Sequence, residues 1–312
     1  MGRSTGFAVE IQEDGAVSPT LIGAVDSQTF DTNTTVQTQL SAGSPTPSFG
    51  EVTSIQPNGT ITTRSIAALL GLIGMRGVCL SGGATPGFGL WQLAKADCGG
   101  YEAGSVHRKI IVPNGRIIPQ SLSAQHGSPA SVTAGVFSYW DGTNDPLIVA
   151  ENQALPTGLP ADVDGWHLGA VRFAGVQLDK KTSVNINWGI SLRPEQDNGD
   201  TFARSLQFAE YRPTVSITCH DESKFGNGGS QIPLESKHGT QADTEIVLRK
   251  RVNGQSAYAT GAVHLRFVID GIANWQSGNA SGDDPFVSQI QFTGLDDGTN
   301  DMIVADLAYT LP

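Results

Sequence analysis

The stretch Asp141-Gly142-Thr143-Asn144-Asp145 recurs, letter for letter, as Asp297-Gly298-Thr299-Asn300-Asp301. The copies are 156 residues apart, half of the 312-residue chain. Each is followed by Ile-Val-Ala (148–150 and 303–305) and then Leu-Pro (155–156 and 311–312). A turn pair lies upstream of each, Asn114-Gly115 and Asp270-Gly271. Further upstream, Gly23-Ala24-Val25 echoes Gly169-Ala170-Val171, and the Phe30–Leu40 pattern echoes Leu178–Trp188. An ordered series of matches reads as one unit written twice. The expected division is residues 1–157 and 158–312.

Each half reads as β. Val36–Leu40, Ser183–Trp188, Val215–Cys219 and Ala262–Val268 alternate with period 2, so each is expected to bury one face. Asn-Gly and Asp-Gly pairs punctuate the chain, and Asn253-Gly254 is expected to turn a hairpin. Helix signals are few: Ser65–Ile73 and Leu90–Asp97, the latter stopped by Gly99-Gly100. The second half carries the Gly-rich Phe225–Ser230 instead. The fold expected is mainly β: two tandem homologous β-sandwich or barrel domains, each with at most one or two short helices.

Composition narrows the function. With 30 acidic and 19 basic residues the net charge is −11, which repels nucleic acid rather than displacing its counterions. No apolar run reaches membrane-spanning length, and no secretory or myristoylation signal is expected at Met1–Gly6. Cys79, Cys98 and Cys219 form neither a disulfide framework nor a zinc site. The six histidines, His107, His126, His167, His220, His238 and His264, fall at no ligand spacing. Cys219-His220 reads as a buried strand residue followed by a turn, because strand neighbours point to opposite faces. Arg249-Lys250-Arg251 is the one dense basic run, read as a solvated or partner-contacting face. No nucleophile–base pair or phosphate loop is apparent, so no enzyme activity and no cofactor are expected. The best polar constellation is the repeated pentapeptide. Asp141, Asn144 and Asp145, with Asp297, Asn300 and Asp301, present oxygens suited to calcium. An Asx-stabilised turn is the plainer reading.

Several stretches, Val106–Gly115, Asp141–Pro156, Trp166–Val171 and Tyr211–Thr218, resemble tail tube proteins of long-tailed, non-contractile bacteriophages. The resemblance covers most of residues 100–312. It implies β-sandwich domains with a flanking helix, ringed around a channel. For a duplicated chain it implies three copies per ring, with pseudo-sixfold symmetry, stacked into a tube. It further implies a virion protein made in the host bacterial cytoplasm. Its partners would be other copies and other tail proteins, and double-stranded DNA would pass through unbound. Leu40–Val52 and Ser191–Thr201 are expected as long loops that reach the next ring. Two alternatives stand beside this reading. One is another virion protein: a double jelly-roll capsid, tail-tip or decoration protein. The other is a calcium- or carbohydrate-binding β-sandwich, cued by Tyr139 and Trp140 beside the first pentapeptide.

Overall fold

The computed structural model describes residues 6–40, 42–43, 45–80, 87–94, 101–159, 165–173, 175–197, 199–220, 224, 242–252, 255–278, 287–296 and 301–312. The first half contains β1 (Phe7–Ile11), β2 (Thr20–Ile22), β3 (Val25–Asp31), β4 (Thr34–Leu40), β5 (Pro47–Ile55), β6 (Asn58–Thr63), α1 (Ile66–Ile73), β7 (Val78–Leu80), β8 (Phe88–Gln92), β9 (His107–Val112), β10 (Gly115–Gln125), β11 (Ser131–Ser138) and β12 (Ile148–Gln153). The second contains β13 (Trp166–Phe173), β14 (Val176–Gln177), β15 (Lys181–Asn187), β16 (Ile190–Glu195), β17 (Ser205–Tyr211), β18 (Thr214–Cys219), β19 (Ala242–Lys250), β20 (Ala262–Gly278), β21 (Val287–Gly294) and β22 (Ile303–Thr310). The protein is mainly β, with one short α-helix among the described residues and antiparallel ladders throughout its sheets.

Alternation sets most strands. In β15 and β18, Val184, Ile186, Val215, Ile217 and Cys219 are buried, while Asn185 and Ser216 face out. α1 buries Ile66, Leu69, Leu70 and Ile73, the i, i+3, i+4, i+7 stripe of an amphipathic helix. Gly74 stops it at φ 63, its amide bonded to the Leu70 carbonyl.

The sheets form two layers in each half. In the first, β2-β1-β8-β9-β12 makes one layer and β10-β11-β6-β3 the other. In the second, β14-β13-β19-β20-β22 makes one and β20-β21-β18-β15 the other. β20 serves both layers: residues before Gly271 pair with β19 and β22, and those from Gly271 onward pair with β21. The layers face each other, β1 against β3 and β13 against β15. One apolar core runs through both halves, from Val9 and Phe88 to Trp188, Phe267 and Phe292. Across the 157/158 division, β10 pairs directly with β15, Ser121 to Asn187 through Gln125 to Ser183. The thirteen-stranded sheet is therefore continuous across that division.

Ladder positions recur at the 156-residue spacing. β3 meets β6 with Val25 opposite Thr63 and, after a register shift, Asp31 opposite Asn58. β15 meets β18 with Lys181 opposite Cys219 and, after the same shift, Asn187 opposite Thr214. β10 on β11 sets Gly115 against Ser138, and β20 on β21 sets Gly271 against Gly294. The hairpin β4–β5 sets Thr34 against Ile55 and Val36 against Val52; β16–β17 sets Ile190 against Tyr211 and Leu192 against Phe208. Even the left-handed residue before the third strand of each half recurs, Ala24 at φ 53 and Lys180 at φ 50.

Several sequence expectations need correction. Leu90–Gln92 belongs to strand β8, not to a helix: Phe88, Leu90 and Trp91 are all buried, and a strand covered on both faces has no alternation to betray it. The echoes of 23–25 in 169–171 and of Phe30–Leu40 in Leu178–Trp188 are out of phase, because the ladder makes Lys181 the counterpart of Val25. Leu40–Val52 and Ser191–Thr201 are not loops throughout, since Pro47–Ile55 and Ile190–Glu195 are strands of two protruding hairpins. Val36–Leu40 is a strand but buries neither face. Asp270-Gly271 lies within β20, where the strand crosses between layers. Residues 253–254 and 225–230 lie outside the described residues, although β19 and β20 pair as neighbours across the former.

Candidate functional site

The first pentapeptide is a capped turn. Asp141 Oδ1 accepts the Thr143 and Asn144 amides, each at 2.8 Å. Its Oδ2 accepts Asn144 Nδ2 at 2.8 Å and Asn114 Nδ2 at 2.9 Å. These N–H groups favour the carboxylate and hold its pKa down to about 2, the Asn144 amide contributing most. Four donors thus occupy the oxygens a calcium ion would need, and Asn144 and Asp145 are exposed around them. Asp301, in the second copy, forms an ion pair with Arg76 beyond α1. Asp297 and Asn300 lie outside the described residues. Among the described residues no three His, Cys, Asp or Glu side chains converge as metal ligands.

The turn's aromatic neighbours are occupied too. The Arg204 guanidinium lies 4.0 Å from the centre of the Trp140 ring, and Phe202 packs beside that ring at 5.8 Å. Trp140 donates its amide to the Ala203 carbonyl at 2.8 Å. The constellation therefore docks the first half's loop onto the base of β16–β17 rather than offering a free sugar platform. Gly142 permits this approach at φ +94, where a Cβ would meet the Arg204 guanidinium at 2.8 Å.

The other candidates resolve into structure. Cys219 is buried and its Sγ reaches the Asp179 carbonyl at 3.0 Å. His107 and His264 are buried counterparts: Nδ1 of His107 accepts the Ala94 amide at 3.0 Å, and Nδ1 of His264 accepts the Lys250 amide at 3.1 Å. In the basic run, Arg249 and Arg251 reach one ring, Tyr258, and Lys250 reaches Trp166, so alternate residues go to opposite sides. Cys98 and His238 lie outside the described residues.

The surfaces carry more information than any cleft near these groups. The β4–β5 hairpin exposes an apolar face, with Val36 56%, Leu40 63% and Val52 38% accessible. Val36 and Val52 are cross-strand partners, as are Leu40 and Pro47, so these groups share one face. A two-stranded hairpin is marginal by itself in water. Edges matter as much. β3 pairs only with β6 and leaves its other edge without a strand among the described residues. From Ile272 to Gly278, β20 likewise pairs only with β21.

The outer face of the sheet joining the halves is also unusual in its chemistry. Reading across the ladders, it presents Thr29, Thr60, Thr62, Thr133, Ser121, Ser123, Asn185, Asn187, Ser216 and Gln291. Hydroxyl pairs tie neighbouring strands, Thr29 to Thr60 at 2.8 Å and Thr62 to Thr133 at 3.0 Å. The next rung of this face carries Arg116, Phe137, Asn58 and Asp31. The period-2 pattern of these strands made an outward polar face legible, but not that the faces of both halves line up as one. No protein-family model matches the chain, and no curated protein matches it significantly.

Proposed function

We propose that this chain is a non-enzymatic, self-assembling structural subunit, of the kind that forms the tail tube of a long-tailed bacteriophage. One observation carries the reading. The junction between the halves joins β10, in the first, to β15, the counterpart of β3, in the second. The same junction is left half-made at each outer end. Among the described residues β3 has an unpaired edge, and the β20 segment that corresponds to β10 has another. A second copy presents the complementary edge, so the intrachain junction is a template for an interchain one. Such a head-to-tail contact closes into a ring when its rotation allows. The resemblance to duplicated tail tube proteins gives three copies, or six repeats, per ring.

Two further features support the reading. The largely hydroxyl and amide face suits a channel wall: its central rungs offer little with which to release phosphate counterions and hold DNA. The exposed apolar faces of the paired hairpins suit burial between stacked rings. The calcium- or sugar-binding alternative loses its cue, because Asp141 and Trp140 are already engaged. Light scattering and electron micrographs of concentrated protein test the proposal. It expects a mass of three copies or a stack of such rings. A strictly monomeric species at near-neutral pH sinks it, and closed shells favour the capsid alternative.

A further inference from the structure

The repeat places a cleft at the same position in each half and lines the two with opposite chemistry. Ala24, Val25 and Leu93 line the first, and Leu159 closes on it while packing against Ala8, Trp91 and Leu93. At the 156-residue spacing, Lys180, Lys181 and Arg249 line the second. Matching backbone bonds carry the equivalence. Arg64 donates to the Ala24 carbonyl at 3.2 Å, and His220 to the Lys180 carbonyl at 3.1 Å. Glu102 donates to the Ala94 carbonyl at 3.1 Å, and Ala259 to the Lys250 carbonyl at 2.9 Å. Each cleft also keeps one tyrosine, Tyr101 or Tyr258.

The second cleft encloses about 630 Å³ and is also lined by His126 and His220, with no Asp or Glu in its wall. Arg249 is held in place, its guanidinium 3.7 Å from the centre of the Tyr258 ring, and its buried Nε has no hydrogen-bond partner among the described residues. Lys180 sits at φ 50, a left-handed conformation that strains a non-glycine residue. Lys181 is half-buried, and its Nζ donates to the Leu178 carbonyl at 3.3 Å. Burial pushes its ammonium pKa down, outweighing the opposite pull of Asp179. The nearby carboxylate, Asp179, is exposed and turned to Gln177 and Lys224. Three cationic side chains thus line one cleft, a wall that favours an anion. Their grouping is not a by-product of a basic surface, since the chain carries net charge −11.

We infer that this cleft binds a small, multiply charged oxyanion through Lys180, Lys181 and Arg249. Phosphate, pyrophosphate and citrate are the probes, each titrated calorimetrically into the full chain at fixed ionic strength. At least one should bind saturably with a dissociation constant below ~1 mM. Whichever binds tighter, pyrophosphate or citrate, assigns the ligand to the phosphate or the carboxylate class. Loss of one charged hydrogen bond should weaken binding about tenfold or more. That is the expectation for Arg249→Gln and for Lys180→Asn, the latter at an exposed position whose backbone suits Asn. Arg108→Gln, whose partner is Glu151 on β12, should leave binding unchanged. Absence of saturable heat up to ~10 mM, or equal affinity in wild type and Lys180→Asn, overturns the inference.

Discussion

The first half contains a buried ion pair, and its burial makes a quantitative prediction. Lys109 Nζ, on β9, lies 2.6 Å from Glu10 Oε1, on β1, with both side chains only 10% exposed. The same ammonium stands 3.9 Å from the centre of the Trp91 ring. Gly89, between them on β8, leaves the necessary room: a Cβ there would meet Lys109 Cε at 2.5 Å and Glu10 Oε1 at 2.7 Å. The ladder position equivalent to Lys109 in the second half holds Arg266, paired with Glu245 at 2.7 Å but with the arginine side chain 38% exposed. Removing one partner strands a buried charge, so Glu10→Ala should cost about 3–5 kcal/mol. Each kcal/mol shifts the midpoint of a domain of 150–250 residues by about 2–4 °C, so the loss reads as roughly 6–20 °C in a thermal melt. Replacing both partners, as Glu10→Met with Lys109→Leu, should recover most of that loss, because apolar groups of similar volume replace buried pairs at little or no cost. Urea titrations of the singles and the double complete the cycle. A Glu10→Ala cost below about 1 kcal/mol, the level of a surface pair, or a double variant as unstable as the sum of both singles, refutes the reasoning.

Two further predictions concern stability and pH. Asp141→Ala removes the acceptor of four N–H groups at the first turn and should destabilise the chain by about 1–2 kcal/mol, the cost of losing a capping acceptor. Because Asp141's pKa is depressed in the folded chain, its contribution is present above the unfolded value of about 3.9 and is lost as pH falls towards about 2. Acid titration of the wild type and Asp141→Asn should diverge in that window. His264 and His167 behave differently: burial holds each below its ordinary pKa, with Arg249 and Arg251 respectively reinforcing the effect. The unfolded chain therefore takes up protons below about pH 6.5 that these folded histidines decline. Stability should fall as pH drops from 7 to 5, and a His264→Gln variant should show a shallower fall in urea midpoints.

How much of this was legible in the sequence follows from the kind of signal each part leaves. Alternating strands with one wet face, such as β15 and β18, are plain in the residue pattern. The helix at Ile66–Ile73 is plain as well, from its stripe and the glycine after it. β8 hid because burial on both faces erases alternation, and a short apolar run is ambiguous between helix and strand. The hairpin strands hid behind Pro47, Gly50 and Pro194, residues that ordinarily mark turns and are tolerated in protruding edges. The pentapeptide spacing equals the offset at which ladder positions recur, yet the residues at those positions differ: Val25 stands where Lys181 does, and Thr63 where Cys219 does. For the same reason the basic cleft was invisible. Lys180-Lys181 and Arg249 lie far apart in sequence, and only the β13–β19 pairing and the repeat's geometry bring their positions into one wall.

The most direct test of the account is a cross-link across the junction it says two copies share. Ser121 lies opposite Asn187 within the chain, and 156-residue counterparts on neighbouring copies are Ser277 and Asp31. Directly opposed strand residues place their Cα atoms about 4.5–5.5 Å apart, within disulfide reach. An Asp31→Cys, Ser277→Cys variant, made with Cys79→Ser and Cys98→Ser, should oxidise to covalent oligomers ending at three copies, and either single cysteine should give dimers at most. Failure to cross-link between copies in concentrated, folded protein would contradict the account.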